Sequence, residues 1–357
     1  MILRLKMRPV QALLYALLCL SALQISSPLN AAPFSSWTPL MKAANQGKLD
    51  AVRDAIRKGA NTNTTDEDGR TALMYAAHKG HLQIVDILLN HGARLNIRDN
   101  RGLDSLLWAV RGGYGDAITR LMQRGAQLTS IDANQNTALH WAIKDNRPAM
   151  AIRLIRLGVD INAQNKQGQT ALMLALQLNV DPLTRELLSR EADVSLTDTN
   201  RHTALWYAVR HNHRTYQDIL LQRSSRLNAL DNRGQAVFHM AAIYGRTEWV
   251  KALGRKGINV NIASNEGNTP ALLATAKGHI ETLRALVDQR GDLKHINKHG
   301  NGALHLAAAA GHRVIVIELL NFGITSQHKN NQGETPQDLA KQGNFEAIAR
   351  ILDSQNK

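Results

Sequence analysis

A single cysteine, Cys19, occurs in the 357 residues. The chain therefore closes no internal disulfide and builds no multi-cysteine zinc or iron–sulfur site. Aromatic residues are scarce, at 4%, and acids are outnumbered, 29 Asp and Glu against 43 Lys and Arg, a formal balance of +14. Catalytic signatures are missing too. There is no Gly-x-Ser-x-Gly elbow, no Gly-x-x-x-x-Gly-Lys-Ser/Thr loop and no His-Glu-x-x-His, so the commonest hydrolase, nucleotide and zinc-protease motifs are excluded. A hydrophobic fraction of 44% with 20% charged residues excludes a disordered chain. The apolar run between Ala12 and Leu23 is shorter than the ~20 residues that span a bilayer.

That run sits in a recognisable order. Arg4, Lys6 and Arg8 precede it, and Pro28 and Ala31-Ala32 follow. Basic, apolar and small-residue regions in this sequence make a secretory signal peptide. Residues 1–32 are assigned to it and 33–37 to a lead-in, with an uncleaved anchor as the alternative. Cleavage would leave a cysteine-free chain with 40 basic and 29 acidic residues. The expected location is the periplasm or the cell exterior, without stable membrane insertion.

What remains is periodic. Thr71-Ala-Leu-Met-Tyr-Ala-Ala-His-Lys-Gly-His81 recurs every 33 residues, with repeats starting at 38, 71, 104, 137, 170, 203, 236, 269, 302 and 335. Position 3 of the repeat is leucine at 40, 73, 106, 139, 172, 205 and 304, with Phe238 and Ala271 as variants. Position 18 is leucine from Leu88 to Leu319, with Ala55 in the first repeat. This spacing predicts two short amphipathic helices per repeat. Glycines such as Gly80, Gly113 and Gly278 after the first helix, and Gly59, Gly92 and Gly323 after the second, suit left-handed caps. Asp66, Asp99, Asp132, Asp198 and Asp231 each open a hairpin-like turn. The repeat at 170–202 has Asn179, Glu191 and Arg201 where glycine is usual, and is expected to be the softest. Gly343 falls one place early in the last repeat, so its helix–helix turn is expected to be altered. Phe34 and Trp37 are placed to cover the first repeat, and Lys341, Gln342, Asn344, Glu346 and Arg350 to solvate the last.

A 33-residue repeat with Thr137-Ala-Leu-His140, followed by Gly-His, Leu-Leu and Gly-Ala elements, resembles the ankyrin repeat over residues 38–357. The resemblance implies an all-α repeat solenoid of helix–turn–helix repeats with projecting β-turn loops. Such arrays bury apolar faces only between neighbours. The resemblance also implies a partner-binding surface made of turn tips and the exposed stripe of the first helix. Across all repeats those positions carry twelve bases and five acids. With the aromatics of position 5, they give the expected site: Tyr75, Lys79, Arg98, Arg101, Trp108, Arg111, Trp141, Lys144, Lys166, Tyr207, Arg210 and Arg233. Aromatic and guanidinium groups dominate binding hot spots. The bland reading of position 5 is that its rings merely stack between repeats.

Fourteen histidines raise the question of metal. His140, His239 and His305 share position 4, where a ring can bond the neighbouring turn, while His81, His213, His279 and His312 follow the first-helix cap. His295, His299 and His328 cluster near two adjacent turns, but solvated turn histidines are the favoured reading and neither metal nor cofactor is expected. Asn63-Thr-Thr65 matches a glycosylation sequon, yet Asn63 falls where asparagine recurs, which favours a structural role. The expectation is a monomeric, non-enzymatic scaffold that holds an acidic protein in a basic groove. Nucleic acid is not an expected target. The alternatives are binding to an anionic envelope polymer or membrane surface, action on a host protein as a secreted effector, or an enzyme with an unrecognised site.

Overall fold

The computed structural model describes residues 37–354. The assigned signal peptide, Cys19 and Phe34 lie outside the described residues. Among those described, twenty α-helices follow one another in pairs, and no named strand is present. Contacts divide the chain into two compact units, Met1–Lys166 and Gln167–Lys357.

Each first helix starts immediately after position 1 of its repeat, because position 1 is its N-cap. Thr38, Thr71, Thr137, Thr170, Thr203, Thr269 and Thr335, with Asp104, each accept the backbone N–H three residues on. Ala236 and Gly302 have no side-chain acceptor. There the cap is reversed: Nδ1 of His239 accepts the Ala236 N–H at 2.9 Å, and Nδ1 of His305 accepts the Gly302 N–H at 3.3 Å.

The first helix ends where position 10 turns left-handed. Glycine fills that position at 47, 80, 113, 245, 278 and 311, and asparagine at 146, 179, 212 and 344. Asparagine tolerates this conformation better than other side-chain-bearing residues. The expected disturbance at Gly343 is therefore corrected. Gly343 has φ −76°, and Asn344 takes the left-handed place at φ 62°. Asn179, Glu191 and Arg201 all hold positive φ, at 57°, 60° and 68°, so the repeat at 170–202 accumulates three non-glycine left-handed residues.

Within each unit, first helices pack on first helices and second helices on second helices. Leucines 88, 121, 154, 187, 220, 253, 286 and 319 of position 18 are fully buried. So are Leu40, Leu73, Leu106, Leu139, Leu172, Leu205, Phe238, Ala271 and Leu304 of position 3. The ring of Trp37 lies 4.3 Å from that of Tyr75, which supplies half of the expected N-terminal cover. At the other end Lys341, Gln342, Asn344, Glu346 and Arg350 are exposed.

The turns hydrogen-bond to one another along the backbone: Asn100 N–H to Asp68 O at 2.8 Å and Ala133 to Arg101 at 3.0 Å in the first unit, Asn232 to Asn200 at 3.2 Å and Lys298 to Glu266 at 3.1 Å in the second. Within a turn, Oδ1 of the position-29 acid organises the backbone. Asp99 accepts from the N–H of Arg101 at 2.9 Å and of Leu103 at 2.8 Å. The geometry is that of a hydrogen-bonded Asx turn, with one isolated antiparallel bridge, Ile131 to Thr137.

Candidate partner-binding face

Nine of the twelve expected site residues lie in the first unit and three, Tyr207, Arg210 and Arg233, in the second. In the first unit the structure brings five together. Arg111 projects from the end of helix Ser105–Gly112, and its guanidinium lies 4.5 Å from the Trp141 ring and 5.7 Å from that of Trp108. Arg101 covers Trp141 at 5.0 Å, and the Lys144 ammonium lies 5.9 Å from the same ring. Arg70, outside the expected twelve, covers Trp108 at 5.2 Å. Cations and indoles thus alternate, an arrangement favoured by the negative face of the ring.

The rings themselves are buried. Tyr75 is 2% exposed, Trp108 1%, Trp141 7% and Tyr207 6%. Each sends its polar atom to the acid of the preceding turn. Tyr75 donates to Asp66 Oδ2 at 2.5 Å, Trp108 to Asp99 at 3.1 Å, Trp141 to Asp132 at 3.1 Å and Tyr207 to Asp198 at 2.9 Å. Burial and the neighbouring carboxylate push the Tyr75 and Tyr207 phenols above the ordinary range. These aromatics act as anchors of the turns, with their faces covered by cations and neighbouring repeats. Periodicity reveals a stripe but not what the next repeat lays over it.

Several of the cations are committed internally. Arg111 pairs with Asp145 at 2.9 Å, and Arg70 with Asp68 at 2.9 Å. Lys144 donates to Asn136 Oδ1 at 2.7 Å, and burial holds it below the ordinary lysine range, against the opposing pull of Asp132. Lys79, Arg98, Arg101 and Lys166 are exposed. Arg98 bonds the carbonyl of Ile131 at 2.6 Å, which leaves its charge at the turn tip.

In the second unit Arg210 covers Trp206 at 5.2 Å and Tyr244 at 5.7 Å, not Tyr207. Trp206 stands at position 4, outside the expected stripe, and Tyr244 at position 9, where only charged residues entered the expected site. The four-residue spacing from Trp206 to Arg210 on one helix was the available signal. Arg233 is exposed.

The repeated histidines have structural partners. Nε2 of His81, His213, His279 and His312 lies 3.3, 2.6, 3.0 and 3.1 Å from a main-chain carbonyl at the end of the preceding first helix. His239 and His305 reach the Asn268 and Glu334 carbonyls of the following turn, as expected from position 4. Burial lowers both below the ordinary imidazole value. His295 meets the Gly267 carbonyl at 2.9 Å and His299 meets Glu266 at 3.2 Å, while His328 lies edge-on to His305. No group of three His, Cys, Asp or Glu among the described residues could hold a metal ion. Asn63 bridges to the next loop, donating to Gly92 O at 2.9 Å and accepting from the Arg94 N–H at 2.8 Å.

The family models for ankyrin repeats match residues 12–99, 95–165, 139–231 and 218–297, and a single ankyrin repeat matches 299–331. The chain is an ankyrin-repeat protein. Its helix pairs and hydrogen-bonded turns make an all-α repeat solenoid, and ankyrin repeats are protein–protein interaction modules, typically without catalytic activity. The first match begins at residue 12, inside the segment read as a signal peptide. No curated protein matches the ankyrin array. No helix among the described residues is long and apolar enough to cross a membrane.

Proposed function

We propose that this ankyrin array is an exported, monomeric, non-enzymatic scaffold that binds an acidic protein across the turn tips and first helices of its first unit. The observation that carries the reading is the sign of what is accessible there. Lys79, Arg98, Arg101 and Lys166, against the exposed acid Glu67, surround the Arg70–Trp108–Arg111–Trp141 layer, whose rings are covered and whose acids Asp68 and Asp145 are already paired. Such a surface attracts carboxylates and raises the association rate of an acidic partner. Export rests on the basic, apolar and small-residue order of residues 1–32 and on the cysteine-free remainder.

The test is crosslinked capture from the exported fraction with the native chain and with Lys79→Glu/Arg98→Glu/Lys166→Glu, which leaves the Arg70–Asp68 and Arg111–Asp145 pairs intact and removes the Arg98 bond to the Ile131 carbonyl. The reading expects an acidic protein captured by the first and lost by the second, with unchanged circular dichroism. Equal capture by both chains rejects this face. Salt-sensitive sedimentation with envelope glycan in place of protein capture selects the polymer reading. A fusion to a reporter active only outside the cytoplasm tests export by itself.

A further inference from the structure

We propose that the second unit carries a separate site for a small soluble molecule bearing two or more phosphate groups. The site is a cleft of about 490 Å³, lined by Arg201, Ser225, Arg226, Leu227, Lys256 and Ile258 among others, with no carboxylate in its wall. Its volume falls within the ~300–1,000 Å³ of small-molecule sites and is far too small for a folded partner.

The repeat that supplies most of the wall departs from the pattern. Position 22 is left-handed in the other full repeats, but Ser224 is extended there, with φ −76° and ψ 113°. Its second helix is also shortened to Gln217–Arg223, after a 3₁₀ turn at Arg214–Tyr216. The loop that follows, together with Gly257 of the next repeat, lines the cleft.

The chemistry of the wall is one-sided. The side chains of Arg201, Arg226 and Lys256 are exposed and make no hydrogen bond or ion pair among the described residues. Three cations lining one cleft without an acid make a positive wall that attracts a multivalent anion. Guanidinium forks match phosphate oxygens, and the lysine adds a point charge. Leu227 and the buried Ile258 supply an apolar wall for the rest of the ligand.

Arg201 occupies position 32, where Gly69, Gly102, Gly168, Gly234, Gly267, Gly300 and Gly333, and also Gln135, adopt the same left-handed conformation. A side chain there is held at φ 68° against its preference. Arginine at this place brings a cation to the cleft that glycine would not.

The experiment is titration calorimetry of the full chain with inorganic pyrophosphate. One molecule per chain is expected, with affinity reduced at least about tenfold in Arg226→Gln/Lys256→Gln. Arg201→Gly, which relieves the backbone, is expected to raise Tm while weakening pyrophosphate binding. A remote double variant of equal charge change, Lys48→Gln/Arg156→Gln, is expected to bind as the native chain does. The proposal is overturned by the absence of saturable heat, by equal losses in the remote variant, or by undiminished binding in Arg201→Gly. Sedimentation with phosphatidylglycerol vesicles that pyrophosphate does not compete away would also overturn it, in favour of a lipid headgroup.

Discussion

Two kinds of turn solve one problem in this array. The turns at Asp66, Asp99, Asp132 and Asp198 carry an acid, and each is followed nine residues later by Tyr75, Trp108, Trp141 or Tyr207. The turns at Asn165, Asn297 and Asn330 carry an amide, and leucine stands at position 5. In both kinds Oδ1 closes the turn in the same way. The second polar atom differs. An acid needs a donor and takes it from the aromatic, whereas an amide brings its own donor and gives it to the asparagine at position 33 of the preceding turn. Asn165 reaches Asn136 at 3.1 Å, Asn297 reaches Asn268 at 2.9 Å and Asn330 reaches Asn301 at 3.1 Å. Asp231 tests the rule, since Met240 at position 5 has no donor. There His202 of the preceding turn lies 3.5 Å from the acid. In these seven turns the choice of acid or amide follows whether the buried partner can donate, and Asp231 departs from it.

The largest effect is expected from removing an acid altogether. Asp99→Ala loses two turn bonds and leaves the buried Trp108 N–H unpaired, which should cost about 3 kcal/mol in urea unfolding. Converting one kind of turn into the other is milder. Asp132→Asn keeps the turn but sets an amide donor against Trp141 Nε1, at a cost of about 2 kcal/mol. The reverse change, Asn297→Asp, faces Asn268 Oδ1, an amide that can flip, so about 1 kcal/mol is expected. If Asp132→Asn proves neutral, the pairing rule is wrong.

Acid sensitivity sharpens the contrast. The repeats at 236 and 302 are capped by histidines whose Nδ1 must stay unprotonated to accept an N–H. Both folded rings have lowered pKa values, so above about pH 6.5 neither state binds the extra proton and stability is unaffected. As pH falls below that, the unfolded ring takes up a proton that the folded ring refuses. Stability should then decline by up to about 1.4 kcal/mol per pH unit for each ring, until the folded ring titrates. Melts of native and His239→Gln chains at pH 7.5 and 5.0 should show a smaller loss in the variant. The smallest effect is expected at Glu191, where glycine should stabilise by about 0.5–1 kcal/mol by relieving the left-handed strain. Hydrogen exchange faster in 170–202 than in the repeats at 236 and 269 is the companion expectation, and equal rates would remove the soft-repeat reading.

Much of the fold was legible because each repeat restates the same physical demands. The threonine of position 1 marks the cap, and the leucines of positions 3 and 18 mark the buried faces. The misread turn at Gly343 came from treating glycine as the signal, when the backbone requirement is for any residue that tolerates the left-handed region, here Asn344. The candidate site was less legible. Spacing placed Trp108 and Trp141 on one stripe with Arg111, but it could not show that neighbours cover both rings. The co-occurrence of Asp at position 29 with Tyr or Trp at position 5 was visible in the letters, yet its meaning needs the turn geometry. The missing glycine at Ser224 marks an irregular repeat but says nothing of the cations that line the neighbouring cleft.

The turn-to-turn ladder also bears on how the molecule comes apart. Its hydrogen bonds join residues about one repeat apart, such as Asn100 to Asp68 and Asn331 to His299. Nothing in such a ladder ties distant parts of a unit together directly. A unit pulled from one end should therefore release helix pairs in succession, giving a sawtooth of small, similar force peaks, and should rewind the same way when the load is removed.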